Sequence, residues 1–466
     1  MDRSELKRLS KNDLIRLVLD LARRVDALEK EKARLRKDSS TSSKPPSSDI
    51  TKPPSRGKGG VPGRGRRIGG QEGHEKHERQ PLPPEEIDDI IEHSVDGCPD
   101  CGGGLRNAPA WGRVLQQIEL VHRPFHVTEH RTLGYWCSHC RIHVQAELPR
   151  DVECGGLFGP RMSAFVAYLK GGCHSSYTTI QSLLDDVLGV RVSTGFLAKV
   201  VDRASRALAE PHAELCRALA SQPRLNVDES GHKDRGESQW TWCFRAPDFT
   251  WFTIHPSRGS DVLRGVLGET FDGVIGSDYF SAYHKYAAES GARTQFCFAH
   301  LIRDVRFLTT LQDKVTRSYG ERVLGAIRDM FAVLHARDGM QPARFDRTLA
   351  KARRALIANA RRAPPRSEAQ NIAARFRGKA ADAYFEFVAS PGVEPTNNLA
   401  EQAIRFIVID RKITQGTRGS KGRAWCERIW TTLATLAQRG QSAFGYLERA
   451  LHADFAGYPA PSLVHT

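Results

Sequence analysis

Apolar positions recur every seven residues at the start of the chain. Leu14, Leu21, Leu28 and Leu35 are seven apart, and Val18, Val25 and Lys32 follow the first three by four. This heptad predicts a helix within 1–37 suited to a parallel two-stranded coiled coil, with Arg23, Arg24, Glu29 and Glu31 flanking the seam and setting partner choice. A solitary amphipathic helix docked on the core fits the same pattern, because so few heptads are marginal alone.

The periodicity stops at Asp38. From there to about residue 85 the chain is rich in Ser, Pro, Gly and basic residues and is expected to be a disordered linker, since it cannot bury enough apolar area to fold. Between Thr51 and Gly70 it holds Lys52, Arg56, Lys58, Arg64, Arg66 and Arg67 and no acid, the composition of an arm that tracks DNA or of a plain solubilising linker. Alternation then takes over in VLQQIELVHRPFHVTEHRTLGYWC (114–137) and predicts a hairpin within a small module over 86–150.

After Gly155 the period turns helical, over 161–170 and 178–188, with Gly189 as a stop and Ser193 as the N-cap of the next helix. Over 155–220 this reads as a DNA-reading helix-turn-helix or as a helical pair that merely packs. From Leu225 strand signals follow: LNVDES, WTWCFRA and WFTIHPS, then a helix over 261–267 and the strand opening GVIGSDYFSAY. A mixed α/β domain over 221–440 is expected, interrupted by a basic helical stretch at about 312–390 that contains the breaker Ala363-Pro364-Pro365. Glu394-Pro395-Thr396-Asn397-Asn398 opens a strong helix, followed by the glycine-rich TQGTRGSKGR, another helix and a C-terminal tail over 441–466.

Composition sharpens this. The length, 466 residues, suits about three domains, and 40% hydrophobic with 26% charged residues excludes disorder of the whole chain. A balance of 69 Lys+Arg against 54 Asp+Glu leaves +15, which points to a polyanionic partner without separating DNA, RNA and an anionic membrane. The charged N-terminus has no apolar core followed by a cleavage site, and nowhere do 18 apolar residues run together, so the expectation is a cytoplasmic protein with no membrane span. There the 10 cysteines are thiols or metal ligands rather than disulfides. Cys98-Pro99-Asp100-Cys101 and Cys137-Ser138-His139-Cys140 form two CxxC pairs, the pattern of a tetrahedral structural Zn²⁺ site. Two disulfides or redox dithiols are the alternative, and His139 and His143 are competing ligands or bystanders.

Three acids stand where a metal-dependent site would want them. Asp228 ends the strand LNV, Asp278 ends VIGS, and Glu401 lies one turn inside the helix opened by Pro395, amid Arg405, Arg411, Lys412, Arg418, Lys421 and Arg423. Carboxylates at strand ends converge readily on a hard cation, and a carboxylate among phosphate-binding cations suits a metal ligand beside DNA. Glu229, adjacent to Asp228 on a strand, points to the opposite face and stays outside the set.

NVDESG around Asp228, GSDYFSAY around Asp278, CFAHLIRD around His300 and NNLAEQAIRFIVIDRK around Glu401 together resemble the insertion sequence 66 family of DDE transposases. SSKPPSSD (Ser42 to Asp49), GGQEGH (Gly69 to His74) and the paired CxxC knuckles are similar to that family's N-terminal layout. The resemblance implies a multidomain α/β chain. Its RNase H-like catalytic core, with a helical insertion, follows a coiled-coil helix, a disordered basic linker, a small zinc-binding β module and a helical DNA-binding region. It further implies an Asp228–Asp278–Glu401 triad holding Mg²⁺ or Mn²⁺. His300 is read either as an active-site auxiliary on the scissile phosphate or as a hydrogen-bonded structural histidine, and Arg405, Arg411, Lys412, Arg418, Lys421 and Arg423 as DNA-binding cations. The implied reaction is cleavage of the element's terminal inverted repeats and transfer to target DNA, by a homodimer or higher oligomer with small accessory proteins of the same element. Ser230, where the family usually has Thr, His232, often an aromatic there, and details of TQGTRGSKGR depart from the family pattern but spare the carboxylates. A catalytically inactive DNA binder derived from a transposase is the competing class. An RNase H-like nuclease unconnected with transposition shares the triad but leaves the zipper, arm and knuckles unexplained.

Overall fold

The computed structural model describes residues 10–35, 82–91, 100–101, 115–118, 120–121 and 124–464. The expected linker falls mostly outside them. The heptad segment is helix α1 (Lys11–Leu35), and its Ile15, Val18, Leu21, Val25 and Leu28 are exposed. Residues 53–130 cluster as a unit of their own. There a 3₁₀ turn spans Pro84–Glu86, and Leu82 exchanges two hydrogen bonds with the Gln116 amide, at 2.7 and 3.0 Å.

The expected hairpin lies further along than the alternation predicts. β1 (Gly134–Cys137) pairs antiparallel with β2 (Ile142–Gln145) across the Cys137–Cys140 turn, whereas the described residues between 115 and 133 form no strand. Leu115, Ile118, Leu120, Val121 and Val127 are exposed, as are Tyr135, Trp136, Ile142 and Val144 of the hairpin itself, so the hairpin is placed not by burial but by the Cys137–Cys140 turn, which the Arg141 N–H closes on the Cys137 carbonyl at 2.8 Å.

A short helix α2 (Arg150–Gly155) leads into α3 (Pro160–Gly171), α4 (Tyr177–Leu188), α5 (Thr194–Ala207) and α6 (Ala209–Leu219). Their ends follow local rules: Gly189 adopts φ 65° beyond α4, and the Ser193 hydroxyl accepts from the Phe196 N–H at 3.1 Å. Ile180, Leu184, Leu197 and Val201 then bury in one apolar core with the sheet that follows.

That sheet contains, in order of appearance, β3 (Arg224–Asp234), β4 (Glu237–Arg245), β5 (Thr250–His255), β6 (Val274–Ser277) and β7 (Arg293–Phe296). The spatial order is β5-β4-β3-β6-β7, with β4 antiparallel to both neighbours and β6 and β7 parallel to β3. Helices α7 (Ser260–Leu267) and α8 (Ser281–Ser290) connect the later strands. After β7 come α9 (Phe298–Thr309), α10 (Lys314–His335), α11 (Pro342–Arg361), α12 (Ser367–Arg375) and the short α13 (Glu386–Ala389). Phe298, Leu301, Tyr319, Val323, Leu356, Phe376 and Tyr384 give this stretch a second core of its own, as a helical insertion requires.

The chain returns to the sheet with α14 (Asn398–Thr414), α15 (Ser420–Gln438) and α16 (Ala443–Ala456). α15 covers the outer edge of β5 with side chains four residues apart. The N–H groups of Ile254, Phe252 and Thr250 donate to Glu427 Oε1, Thr431 Oγ1 and Thr435 Oγ1 at 2.7, 3.0 and 3.2 Å. Every second edge amide is thereby satisfied, which blocks pairing with another strand. The region expected as a tail carries α16, whose Tyr446, Leu447, Ala450, Leu451 and Phe455 bury in the main core.

Candidate active site and its relatives

The first two acids meet through strand register. β3 and β6 pair in parallel with Arg224 opposite Val274 and Asn226 opposite Gly276, an offset of 50. Asp228 and Asp278 are separated by that same offset, so they leave adjacent strands at one level. β3 also sorts its side chains by parity. Asn226, Asp228 and Ser230 face α14, whereas Leu225, Val227 and Glu229 face the opposite layer.

Glu401 is brought to the Asp228 side of the sheet because the start of α14 is fastened to β3. Asn397, 1% exposed, accepts from Asn226 Nδ2 at 2.9 Å and donates to the Val227 carbonyl at 2.8 Å. Gly276 is required alongside: a Cβ there would sit 2.7 Å from Asn226 Nδ2. The far end of α14 is held as well, since buried Asp410 bonds His174 Nδ1 at 2.9 Å and accepts from Trp430 Nε1 at 3.1 Å.

Burial dominates the electrostatics of these acids. Burial, followed by the negative charges of Glu229, Asp278 and Glu401, pushes the Asp228 carboxyl well above its ordinary range. Asp278 is raised to about 6, mainly by burial and then by Glu229, against the Phe280 N–H that donates to it at 2.9 Å and the cations Arg258 and Arg375. Carboxylates crowded into such a place resist ionising together, and a divalent cation reverses that preference. The residues therefore fit hard-cation binding.

Glu229 lies on the opposite face, as parity predicts. It accepts from Arg258 Nε at 2.8 Å and from the buried Tyr283 hydroxyl, and the Arg258 guanidinium also stacks over Trp240 and Phe280. On the Glu401 side, Arg303 Nη2 donates to Oε2 at 3.2 Å, and His300 Nδ1 stands 3.4 Å from Oε1. Burial, outweighing the attraction of Glu401, lowers the His300 pKa, which favours the neutral ring. Cys297, Arg303 and Asn226 carry no distinguishing mark in the sequence, and Asn397 reads there only as part of a helix start. Only the spacing of Cys297, His300 and Arg303, three apart, signals that all three share a helical face.

The basic residues divide into two groups. Arg405, Lys412, Arg418 and Lys421 are exposed, with Lys421 Nζ 3.4 Å from Asp202 Oδ2. Arg411 instead donates to Ser230 Oγ at 3.0 Å, and Arg423 pairs with buried Asp234. Asp234 also accepts from Thr417 Oγ1 and the Gly419 N–H, at 2.8 and 2.7 Å, so Arg423 serves to fasten the glycine-rich segment to the end of β3. Gly416 and Gly419 adopt φ of 94° and 114° there, and a Cβ on Gly416 would lie 2.2 Å from the Lys233 carbonyl oxygen.

Of the four expected zinc ligands, Cys98 lies outside the described residues and Cys101 is exposed. Cys137 is half-buried and accepts from the Cys140 N–H at 3.4 Å, and Cys140 is exposed. Amide donation from Cys140, followed by a hydrogen bond from its side chain and the amide of His139, lowers the Cys137 thiol pKa, as suits a thiolate ligand. His139 and His143 are exposed.

Residues 155–424, more than half the chain, match the family described as Transposase IS66 family. The chain belongs to the IS66 transposase family. The matched span begins before α3 and ends early in α15, and so takes in Asp228, Asp278 and Glu401. Residues 3–80 match a family of unknown function. An uncharacterized protein, y4hP, from Sinorhizobium fredii (strain NBRC 101917 / NGR234), is 24% identical over 254 residues, 50% of this chain and 45% of that protein. The chain thus spans about half the length of the curated relative it matches. For this IS66 family member, no helix among the described residues is long and apolar enough to cross a membrane.

Proposed function

We propose that this transposase binds the terminal inverted repeats of its element and cuts and joins DNA at Asp228, Asp278 and Glu401. The observation that supports the reading is the register of β3 and β6, which sets Asp228 and Asp278 at one level of adjacent parallel strands, with α14 and its Glu401 fastened to β3 by Asn397. The strand order, with its single reversed strand β4, supports reading the sheet as an RNase H-like core, and the second core over α9–α12 fits a helical insertion before the last acid. Mg²⁺ or Mn²⁺ held by these carboxylates would supply Lewis-acid activation of an attacking hydroxyl and stabilise a leaving oxygen of the phosphodiester.

The protein's own part is positional. Asn226 and Asn397 set Glu401 against β3, Arg303 orients its carboxylate, and Arg258 with Tyr283 keeps Glu229 turned away. Neutral His300 stands ready beside Glu401 to donate to a phosphate oxygen. Exposed Arg405, Lys412, Arg418 and Lys421 offer the counter-charge for the DNA backbone. The exposed apolar side chains of α1 suit pairing with a second copy, which would hold two element ends together. The Cys137–Cys140 turn is proposed to give two thiolates to a structural Zn²⁺. Accessory proteins of the element and a place on the nucleoid belong to the same reading.

The test is a cleavage and strand-transfer assay with Mg²⁺ or Mn²⁺ on labelled element-end DNA, comparing the native chain with Asp228→Ala. Cleavage that vanishes in the variant while end binding persists supports the reading. Undiminished cleavage by Asp228→Ala would overturn it.

A further inference from the structure

We propose that Cys297, His300 and Glu401 form a binding site for one transition-metal ion of the zinc class, chemically distinct from a hard-cation site among the carboxylates. The proposed site shares Glu401 with the strand-transfer reading without depending on it.

Two helix starts bring the donors together. Cys297 is the residue that opens α9, and His300 lies in its first turn, three positions on and on the same side. Glu401 comes from the first turn of α14. The two starts are joined directly: the Phe298 N–H donates to the Pro395 carbonyl at 2.9 Å, and the Asn397 N–H to Cys297 Sγ at 3.1 Å. A sulfur, a ring nitrogen and a carboxylate oxygen thereby lie within 4.8 Å of one another.

The second observation concerns unmet polar atoms. His300 is 8% exposed, and its Nδ1 makes no hydrogen bond; neither does the buried Oε1 of Glu401, which it faces at 3.4 Å. The pair is close, yet outside hydrogen-bonding geometry. A buried polar atom left unsatisfied is costly, so their juxtaposition calls for a partner that both can share. A cation is such a partner, because both atoms offer it lone pairs. Glu401 Oε2 is already engaged by Arg303, which leaves Oε1 as the free donor.

The donor types choose the ion. Mg²⁺ takes oxygen ligands, whereas thiolate with imidazole and a single carboxylate suits Zn²⁺, Co²⁺ or Cd²⁺. The Asn397 N–H on Cys297 Sγ is the kind of outer contact that fixes a thiolate ligand. Binding forms a sulfur–metal bond and releases the thiol proton to water. Ligand bonds of about 2.0 Å to nitrogen and 2.3 Å to sulfur require the set to contract by roughly 1 Å, within the reach of a χ1 adjustment at Cys297. Three protein ligands leave a fourth position open to water or a phosphate oxygen.

The test is titration of the full-length protein with Co²⁺, followed by the sulfur-to-cobalt charge-transfer absorption and by the bound equivalents at equilibrium. Thiols elsewhere in the chain also respond to cobalt, so the informative quantity is the difference between the native chain and single variants. Cys297→Ser is expected to lose one thiolate's share of the band and about one equivalent of ion. His300→Gln should lose the same equivalent, and it carries the test where Cys297→Ser fails to fold. Asp228→Asn, outside this ligand set, should keep both signals whether or not the chain cleaves DNA. Full band and full stoichiometry in both Cys297→Ser and His300→Gln would overturn the proposal. So would loss of the equivalent in Asp228→Asn alone, which would place the ion among the carboxylates instead.

Discussion

Neighbouring acids on one strand carry opposite consequences for stability. Asp228 and Asp278 are raised, so ionising them opposes folding, while Glu229 has two partners, Arg258 and Tyr283. The folded Asp278 carboxyl titrates at about 6, against about 3.9 for an unfolded aspartate. The native state then holds more protons than the unfolded state across that interval, and stability falls as pH rises from about 4 to 6, by roughly 2 kcal/mol for this group. Urea unfolding with EDTA across that range should trace this decline, and millimolar Mg²⁺ should flatten it; a decline indifferent to Mg²⁺ would speak against a cation among these acids. Substitutions should likewise differ in sign. Asp228→Asn should abolish cleavage and raise the melting temperature at neutral pH, because it removes a repelled charge. Glu229→Gln should lower stability by about 3 kcal/mol, since it takes the anion from a buried pair and leaves Arg258 without its counter-charge. Equal effects on the two melting temperatures would mean that the two faces of β3 are not electrostatically distinct.

Elements reach the site through long-range fastening, and this is where sequence reading thins out. The ends of α4 and α5 were legible because Gly189 and Ser193 act on residues a turn away. Asp228, Asp278 and Glu401 stood out by type and setting, but their convergence depends on a register between β3 and β6 and on Asn397, whose partners lie about 170 positions distant. The role of Glu427, Thr431 and Thr435 as cover for β5 is hidden in the same way, since nothing local marks a threonine as the acceptor for a distant edge amide. Arg411 and Arg423 read as surface cations because charge is visible in sequence, whereas Ser230 and Asp234 waiting to receive them are not. The hairpin lies elsewhere because alternation marks strands without marking the turn that joins them, which here is the Cys137–Cys140 turn. Asn397 offers the sharpest element-scale test. Asn397→Ala leaves Asn226 Nδ2 and the Val227 carbonyl without their partners, at a cost of about 2 kcal/mol in chemical denaturation. It also frees the start of α14, so cleavage should fall at least tenfold in the folded protein while DNA affinity holds. Cleavage unchanged in folded Asn397→Ala would mean that Glu401 is positioned without this anchor.

Across the whole molecule the excess of 15 positive charges acts only where cations are free to meet a polyanion. Arg411 and Arg423 are committed to Ser230 and Asp234, so they contribute to the position of α14 and the glycine-rich segment more than to counterion release. Arg405, Lys412, Arg418 and Lys421 are exposed along α14 and into the start of α15. Each phosphate neutralised by such a side chain steepens the dependence of log affinity on log salt by about 0.9. Replacing all four with alanine should therefore reduce the slope by as much as ~3–4 and weaken binding to element-end and random duplexes alike, because phosphate contacts carry no base information. Arg423→Ala should change the slope far less and instead lower the melting temperature, since Asp234 keeps its bonds to Thr417 and Gly419 but loses its counter-charge. Fluorescence anisotropy over a salt series, with thermal unfolding of each variant, separates these outcomes. An unchanged slope in the fourfold variant would move the DNA track off this face, leaving the basic residues between Thr51 and Gly70 as the next segment to neutralise.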